Sequence, residues 1–217
     1  MRRLTVAAAL ALALIWTSAG WAASSLLGPT GLITIPTADV LGMTQFTVGL
    51  TQVWADAHED ETLVYANVGL LPKLEVGFTR EDLQDDESET ILNAKVRLLG
   101  PLPGKITLAA GVMDFTDQID RTVYVVGSHT LGAGLLTEFG QVTTPQLHVG
   151  IGGGRFDGLF AGVSTTVNRK LALMAEYDGD DINLGARLPV APQVEASAGI
   201  LNGFDDLALG VQFSSPW

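Results

Sequence analysis

From Thr44 onward the chain alternates apolar and polar residues with a period of two, and nothing else in it restricts the possible folds so tightly. Phe46, Val48 and Leu50 are separated by Thr47 and Gly49, and Leu74, Val76 and Phe78 by Glu75 and Gly77. Leu92, Ala94, Val96 and Leu98 alternate with Asn93, Lys95 and Arg97. The same rhythm returns in Ile182 to Leu188 and in Leu207 to Phe213. A helix reads its apolar face at 3.6 residues and has no use for this pattern; a strand with two unlike faces does. The chain is 47% hydrophobic and only 17% charged. Yet no stretch after residue 23 reaches the roughly 20 apolar residues of a spanning helix. Its apolar residues come instead in runs of roughly ten, broken by charged or Gly/Pro clusters, as in a barrel that crosses a bilayer with strands.

Twelve strands are expected, at about 43–55, 61–71, 73–82, 88–99, 105–115, 120–131, 146–153, 158–168, 170–178, 181–189, 193–201 and 206–214. The fold class is therefore all-β: a single antiparallel transmembrane β-barrel of about 12 strands, within a range of 10 to 14. Region 132–145 holds either a distorted strand or a short helix. The turns argue for a barrel over a sandwich. The second, fourth, eighth and tenth (around Pro72, Pro101 to Lys105, Arg169 and Pro189 to Pro192) are short and rich in proline or basic residues. The odd-numbered turns are acidic, and with their flanks they hold most of the 24 carboxylates. Odd and even turns of a spanning barrel emerge on opposite sides of the membrane, so the tight turns are assigned to the periplasm and the acidic loops to the exterior.

The N-terminus is a secretory signal. Arg2 and Arg3 precede the apolar run Val6 to Trp16, and Gly20-Trp21-Ala22 offers small residues at a cleavage site. Residues 1–22 are thus a signal peptide, 23–42 an N-terminal segment and candidate plug, and 43–217 the barrel. The expected location is the bacterial outer membrane, with its lipids, lipopolysaccharide and barrel-assembly machinery as partners. A net charge of −12 excludes nucleic acid. The absence of cysteine excludes a disulfide scaffold and a thiolate metal site.

If the apolar set faces lipid, the opposite face puts Glu75, Asn93, Lys95, Arg97, His148, Glu176, Asn183, Arg187, Glu195 and Gln212 in the lumen. Opposite charges fall on adjacent strands: Arg187 is expected opposite Glu195, Asn183 opposite Glu176, and Glu75 one strand from Lys95 and Arg97. The many lumenal glycines either let strands bend or leave space for an inserted segment. Gly150 to Gly154 is followed by another strand rather than a helix, so it is no phosphate loop. His58 lies in an acidic loop, His129 near the end of a strand and His148 in the lumen. None has a serine at a spacing that defines a catalytic pair, so the chain is read as non-enzymatic, without cofactor. The acidic runs 81–89 and 178–181 do not have calcium-loop spacing and are read as solvated surface.

The segment GPTGLITIPTADVLG (28–42) resembles the opening motif of the YjbH family of outer-membrane proteins, through Gly31-Leu32 and Pro36-Thr37-Ala38-Asp39. Later stretches around Glu176-Tyr177-Asp178-Gly179 and Asn183-Leu184-Gly185 are similar to hairpins of that family. The resemblance implies a barrel linked to exopolysaccharide export or surface assembly, as scaffold or narrow conduit, with export components as partners. The alternative from the residues themselves is a small diffusion channel for ions or solutes.

Overall fold

The computed structural model describes residues 22–56, 59–83, 88–100, 106–131, 135–136, 142–168 and 170–215. The strands are β1 (Phe46–Trp54), β2 (Glu61–Leu71), β3 (Leu74–Leu83), β4 (Ser88–Leu99), β5 (Thr107–Met113), β6 (Thr122–Thr130), β7 (Leu135–Leu136), β8 (Val142–Gly152), β9 (Gly158–Val167), β10 (Leu171–Tyr177), β11 (Ile182–Ala191), β12 (Val194–Leu201) and β13 (Asp206–Ser214). Each long strand pairs antiparallel with its sequence neighbours, β1 pairs with β13, and β6 pairs with β8. The sheet therefore closes into a twelve-stranded barrel, and closure removes the exposed edges of an open sheet. The two-residue β7 pairs with Val142 and Thr143 at the start of β8, and the rest of the region expected to be irregular, 132–134 and 137–141, lies outside the described residues. The proposed signal peptide lies outside the described residues except for Ala22, as does His58.

The alternation sets the two faces. Phe46, Val48 and Leu50 of β1 and Leu207, Leu209, Val211 and Phe213 of β13 are exposed, while Thr47 and Thr51 between them are fully buried. The same outward apolar set recurs on the other long strands and gives the barrel an exposed apolar belt. Phe46 and Phe213 meet at one end of it, ring centroids 6.1 Å apart.

Consecutive antiparallel strands place their connections alternately at two rims. One carries the tight turns, with register shifts at Gly69/Leu71, Arg97/Leu99 and Pro189/Ala191. Such bulges bend the strand where a barrel wall curves inward. The β11–β12 pairing corrects the expected hairpin register: the turn lies at Pro192-Gln193, Arg187 faces Ser197 and Glu195 faces Pro189, so Arg187 and Glu195 are not cross-strand partners. Asn183 does oppose Glu176, and Glu75 opposes Lys95. The other rim carries the acidic loops.

The interior departs from a simple polar lumen. Leu63 of β2, Met113 of β5, Tyr124 and Val126 of β6, Phe160 of β9, Met174 of β10 and Leu201 of β12 all point inward and are buried. They form one apolar cluster with Leu26, Leu27, Leu32, Ile33, Ile35 and Ala38 of the N-terminal segment. The barrel has a packed core, and residues 23–41 supply its centre.

Candidate functional site: the occupied lumen

Residues 23–42 fold into two linked loops stitched by their own main chain. Ser24 bridges Thr30, Gly31 bridges Pro36, Leu26 N–H donates to Ile33 O at 2.8 Å, and Leu32 N–H donates to Ile35 O at 2.9 Å. Gly28 sits at φ +115, a left-handed conformation costly for any residue with a Cβ. A Cβ there would also fall 2.4 Å from the Thr79 hydroxyl.

The segment starts and finishes at the tight-turn rim. At its beginning, Ser24 Oγ lies 2.8 Å from the hydroxyl of Thr47, near the start of β1, and Ser24 N–H donates to Gln212 Oε1 at 3.2 Å. At its end, Gly42 N–H donates to Gln45 Oε1, and Thr44 N–H donates to Gly69 O at 2.9 Å. The intervening turn at Ile33-Thr34-Ile35 climbs to Glu176, next to last in β10, close to the acidic rim.

Two carboxylates grip this segment by its amides. Glu75 accepts from Thr30 N–H at 3.0 Å, the Thr30 hydroxyl at 2.9 Å and Leu41 N–H at 2.9 Å. Glu176 accepts from Ile33 N–H at 2.9 Å, Thr34 N–H at 2.7 Å and the Thr34 hydroxyl at 2.5 Å. Asn183 Nδ2 also donates to Glu176 at 3.3 Å. Hydrogen bonds to a carboxylate are shorter and roughly twice as strong as neutral ones.

Cations grip the carbonyls. Arg187 donates to Ser24 O at 2.7 Å and Leu32 O at 2.9 Å. Lys95 Nζ donates to Thr30 O at 2.6 Å and Thr37 O at 3.3 Å, and it also contacts the Thr30 hydroxyl. Arg97 donates to Val40 O at 3.1 Å. Asn67 donates to Gly28 O and Thr79 to Leu27 O, at 2.7 and 2.8 Å. Asn93 bonds Thr79 and, through its Oδ1, the Asp114 amide, so it supports the site from behind. Glu195 reaches the segment only indirectly, through Gln212, whose Nε2 donates to it at 2.6 Å.

His148 is buried between Ser128 (Nδ1 to Oγ 2.8 Å) and Ser164 (Nε2 to Oγ 3.4 Å). Spacing along the chain shows no serine partner for it; the sheet register supplies two. Ser128 Oγ also accepts the Ala38 amide at 2.9 Å, so the trio is another clamp on the segment. Of the motif residues, Leu32 and Ala38 are in the apolar cluster, Gly31 and Thr37 offer their carbonyls, and Asp39 O accepts from the Thr30 hydroxyl. Gly31 is tight enough that an added Cβ would lie 2.4 Å from Ile35 O.

The glycines divide by neighbour. A Cβ at Gly162 would lie 2.5 Å from Leu32 Cδ1, at Gly185 2.7 Å from Ile33 Cγ1, and at Gly199 2.9 Å from Leu26 Cδ1. These are notches for the inserted side chains. Gly49, Gly111 and Gly150 instead make room for wall rings, Tyr65, Tyr124 and Phe160.

A second closure sits toward the acidic rim. The loop between β8 and β9 turns Phe156 inward against Tyr124 and Phe160, with centroids 6.0 and 4.8 Å away. Beside it Arg155 meets Glu81 of β3 at 3.4 Å. At the same rim Asp114 caps its loop: burial would raise its carboxyl, but N–H groups of Gln118, Ile119 and Asp120 and the Thr116 hydroxyl outweigh that and hold it below the usual carboxylate range.

No family model and no curated protein matches this sequence. Among solved structures it is similar to a KdgM porin, with a TM-score of 0.56 at 10% identity over 78% of this chain and 99% of that one. A KdgM porin in complex with disordered oligogalacturonate gives 0.55 at 11%, over 78% and 99%. The Omp33 outer-membrane protein of Acinetobacter baumannii gives 0.45 at 13%, over 80% and 98%. At such identities the likeness to the KdgM barrels is one of fold. What the comparison shows is a closed antiparallel β-barrel.

Proposed function

We propose that this barrel is a non-enzymatic outer-membrane protein that is shut at rest by its own N-terminal segment and serves surface assembly or export of an exopolysaccharide as a scaffold. The observation that carries the reading is the double role of residues 28–42: the stretch that resembles the YjbH opening motif is also the one seated in the lumen. Glu75, Glu176, Lys95 and Arg187 are committed to that stretch, and so they are not free to line an aqueous pore while it is seated. The acidic loops then form the surface offered to the exterior, with export components and lipopolysaccharide as neighbours. The experiment is gene deletion with complementation. Surface polysaccharide should fall on deletion and return with the full chain; unchanged polysaccharide refutes the scaffold role.

A second reading is favoured by the fold likeness to the KdgM porins, one of which is described in complex with oligogalacturonate. It makes the protein a diffusion channel whose open form has the segment displaced. Planar bilayers separate the two. A resting scaffold shows little current, whereas a channel shows steady openings whose ion preference shifts with Arg187→Glu.

A further inference from the structure

We infer that the lumen is a polypeptide-binding site and that residues 23–43 are its resident, exchangeable ligand. The inference stands on the seated segment alone and survives failure of the polysaccharide reading.

Three observations lead there. First, the wall reads main chain. Amide hydrogens of Thr30, Ile33, Thr34, Ala38 and Leu41 go to wall side chains, as do carbonyls of Ser24, Leu27, Gly28, Leu32, Thr37 and Val40. Acceptors for amides interspersed with donors to carbonyls along one stretch suit a polypeptide, which presents an N–H and a C=O at every residue. A chain of sugar hydroxyls has no such order. Second, side-chain identity is read at separate points, where Gly162, Gly185 and Gly199 admit Leu32, Ile33 and Leu26. Main-chain bonds for affinity with notches for selected side chains is how peptide-binding proteins divide the task. Third, the segment is not threaded through the barrel. It goes in and comes out at the tight-turn rim, and its single covalent tie to the wall passes through Met43 and Thr44, both exposed. Met43 is 56% exposed. Severing that tie leaves a ligand held by non-covalent contacts alone, with one open direction of exit.

The test uses the full chain, folded in detergent with a protease recognition sequence inserted between Met43 and Thr44. After cleavage, a labelled synthetic peptide of residues 23–43 is added in excess. Labelled peptide should replace the resident one to one, the barrel keeping its heat-modifiable gel mobility throughout. A peptide carrying Ile33→Asp should compete at least about tenfold less well, since its charge would enter an apolar notch without a partner. Gly185→Leu in the barrel should weaken uptake of the native peptide without changing the mobility of the folded form. No uptake at any concentration overturns the inference, as does equal uptake of native and Ile33→Asp peptides. Release of the segment by a neutral oligosaccharide at the same concentrations would also overturn it, because the site would then read hydroxyls. If the insertion prevents folding, an uncleaved chain whose own segment carries Ile33→Asp gives the same answer: its notches stay native, so added native peptide should displace the weakened resident, and absence of capture overturns the inference.

Discussion

Two arcs of the same wall hold the N-terminal segment in different ways. On β2 to β4 the contacts are long polar side chains: Asn67, Glu75, Thr79, Lys95 and Arg97 reach inward to main-chain groups. On β9 to β13 the backbone itself comes close, because glycine replaces the side chain, and leucine and isoleucine of the segment fill the space. Glu176, Asn183, Arg187 and Gln212 give that arc its polar grip. The first arc wires the segment and the second shapes it. Charge and volume are thus separable on one cylinder, so each can be removed alone.

The largest effect is expected where the second arc is also wired. Glu176→Leu strands the amides of Ile33 and Thr34 without an acceptor, and each buried donor left unsatisfied costs about 1–3 kcal/mol. Hydrogen exchange at those two amides should accelerate accordingly, with thermal unfolding of the barrel much less affected. Gly185→Leu attacks shape alone; overpacking costs about 1–3 kcal/mol. It should expel the Ile33 turn while leaving the Glu75 bonds to Thr30 and Leu41 protected from exchange. Loss of protection over the whole segment would mean that the two arcs act as one.

On the first arc, Glu75→Gln keeps the shape and one acceptor oxygen but removes the charge. A hydrogen bond to a charged group is worth about 1.5–3 kcal/mol against about 1 for a neutral one, so exchange at Thr30 and Leu41 should rise by less than after Glu176→Leu. The smallest effect lies outside both arcs, at Asp114. Its carboxyl is held below the usual range when folded, so its stabilising contribution is complete above the unfolded value of about 3.9 and fades as pH falls through the lower folded value. Amides of Gln118, Ile119 and Asp120 should lose protection in that acid range, and Asp114→Asn should remove the dependence.

The strands were legible because period-two alternation is a property of single residues, and so was the identity of the polar side chains that point inward. What those side chains bond was not legible. Arg187 looks like a partner for Glu195 when only charges are visible, but its acceptors are the carbonyls of Ser24 and Leu32, and main-chain groups leave no mark in a sequence. The hairpin also turns at Pro192-Gln193, at the far end of the proline-rich stretch, and that places Ser197 opposite Arg187. The packed interior did leave a signal. Leu63-Val64-Tyr65-Ala66 is apolar at both parities, as a strand with an apolar outer face and a greasy filling must be. His148, Ser128 and Ser164 converge only through the pairing of β6, β8 and β9, which spacing along the chain does not encode. Asp39, Glu75, Glu138, Glu176 and Glu195 are the carboxylates that stand apart from the acidic loops, and two of these five hold the segment.

Because the N-terminal stretch doubles back to the rim where it began, its placement poses no topological problem during biogenesis. A chain passed end to end through a ring would have to be in position before the first and last strands met, or be pulled through afterwards. A folded tuck, by contrast, is free to enter a finished cylinder, or to serve as the mandrel around which the cylinder curls. Non-threaded connections are the rule in folded chains. Here that rule leaves the order of the two events open to kinetics: the partner strands β1 and β13 are the most distant in sequence, and the greasy tuck is synthesised ahead of both.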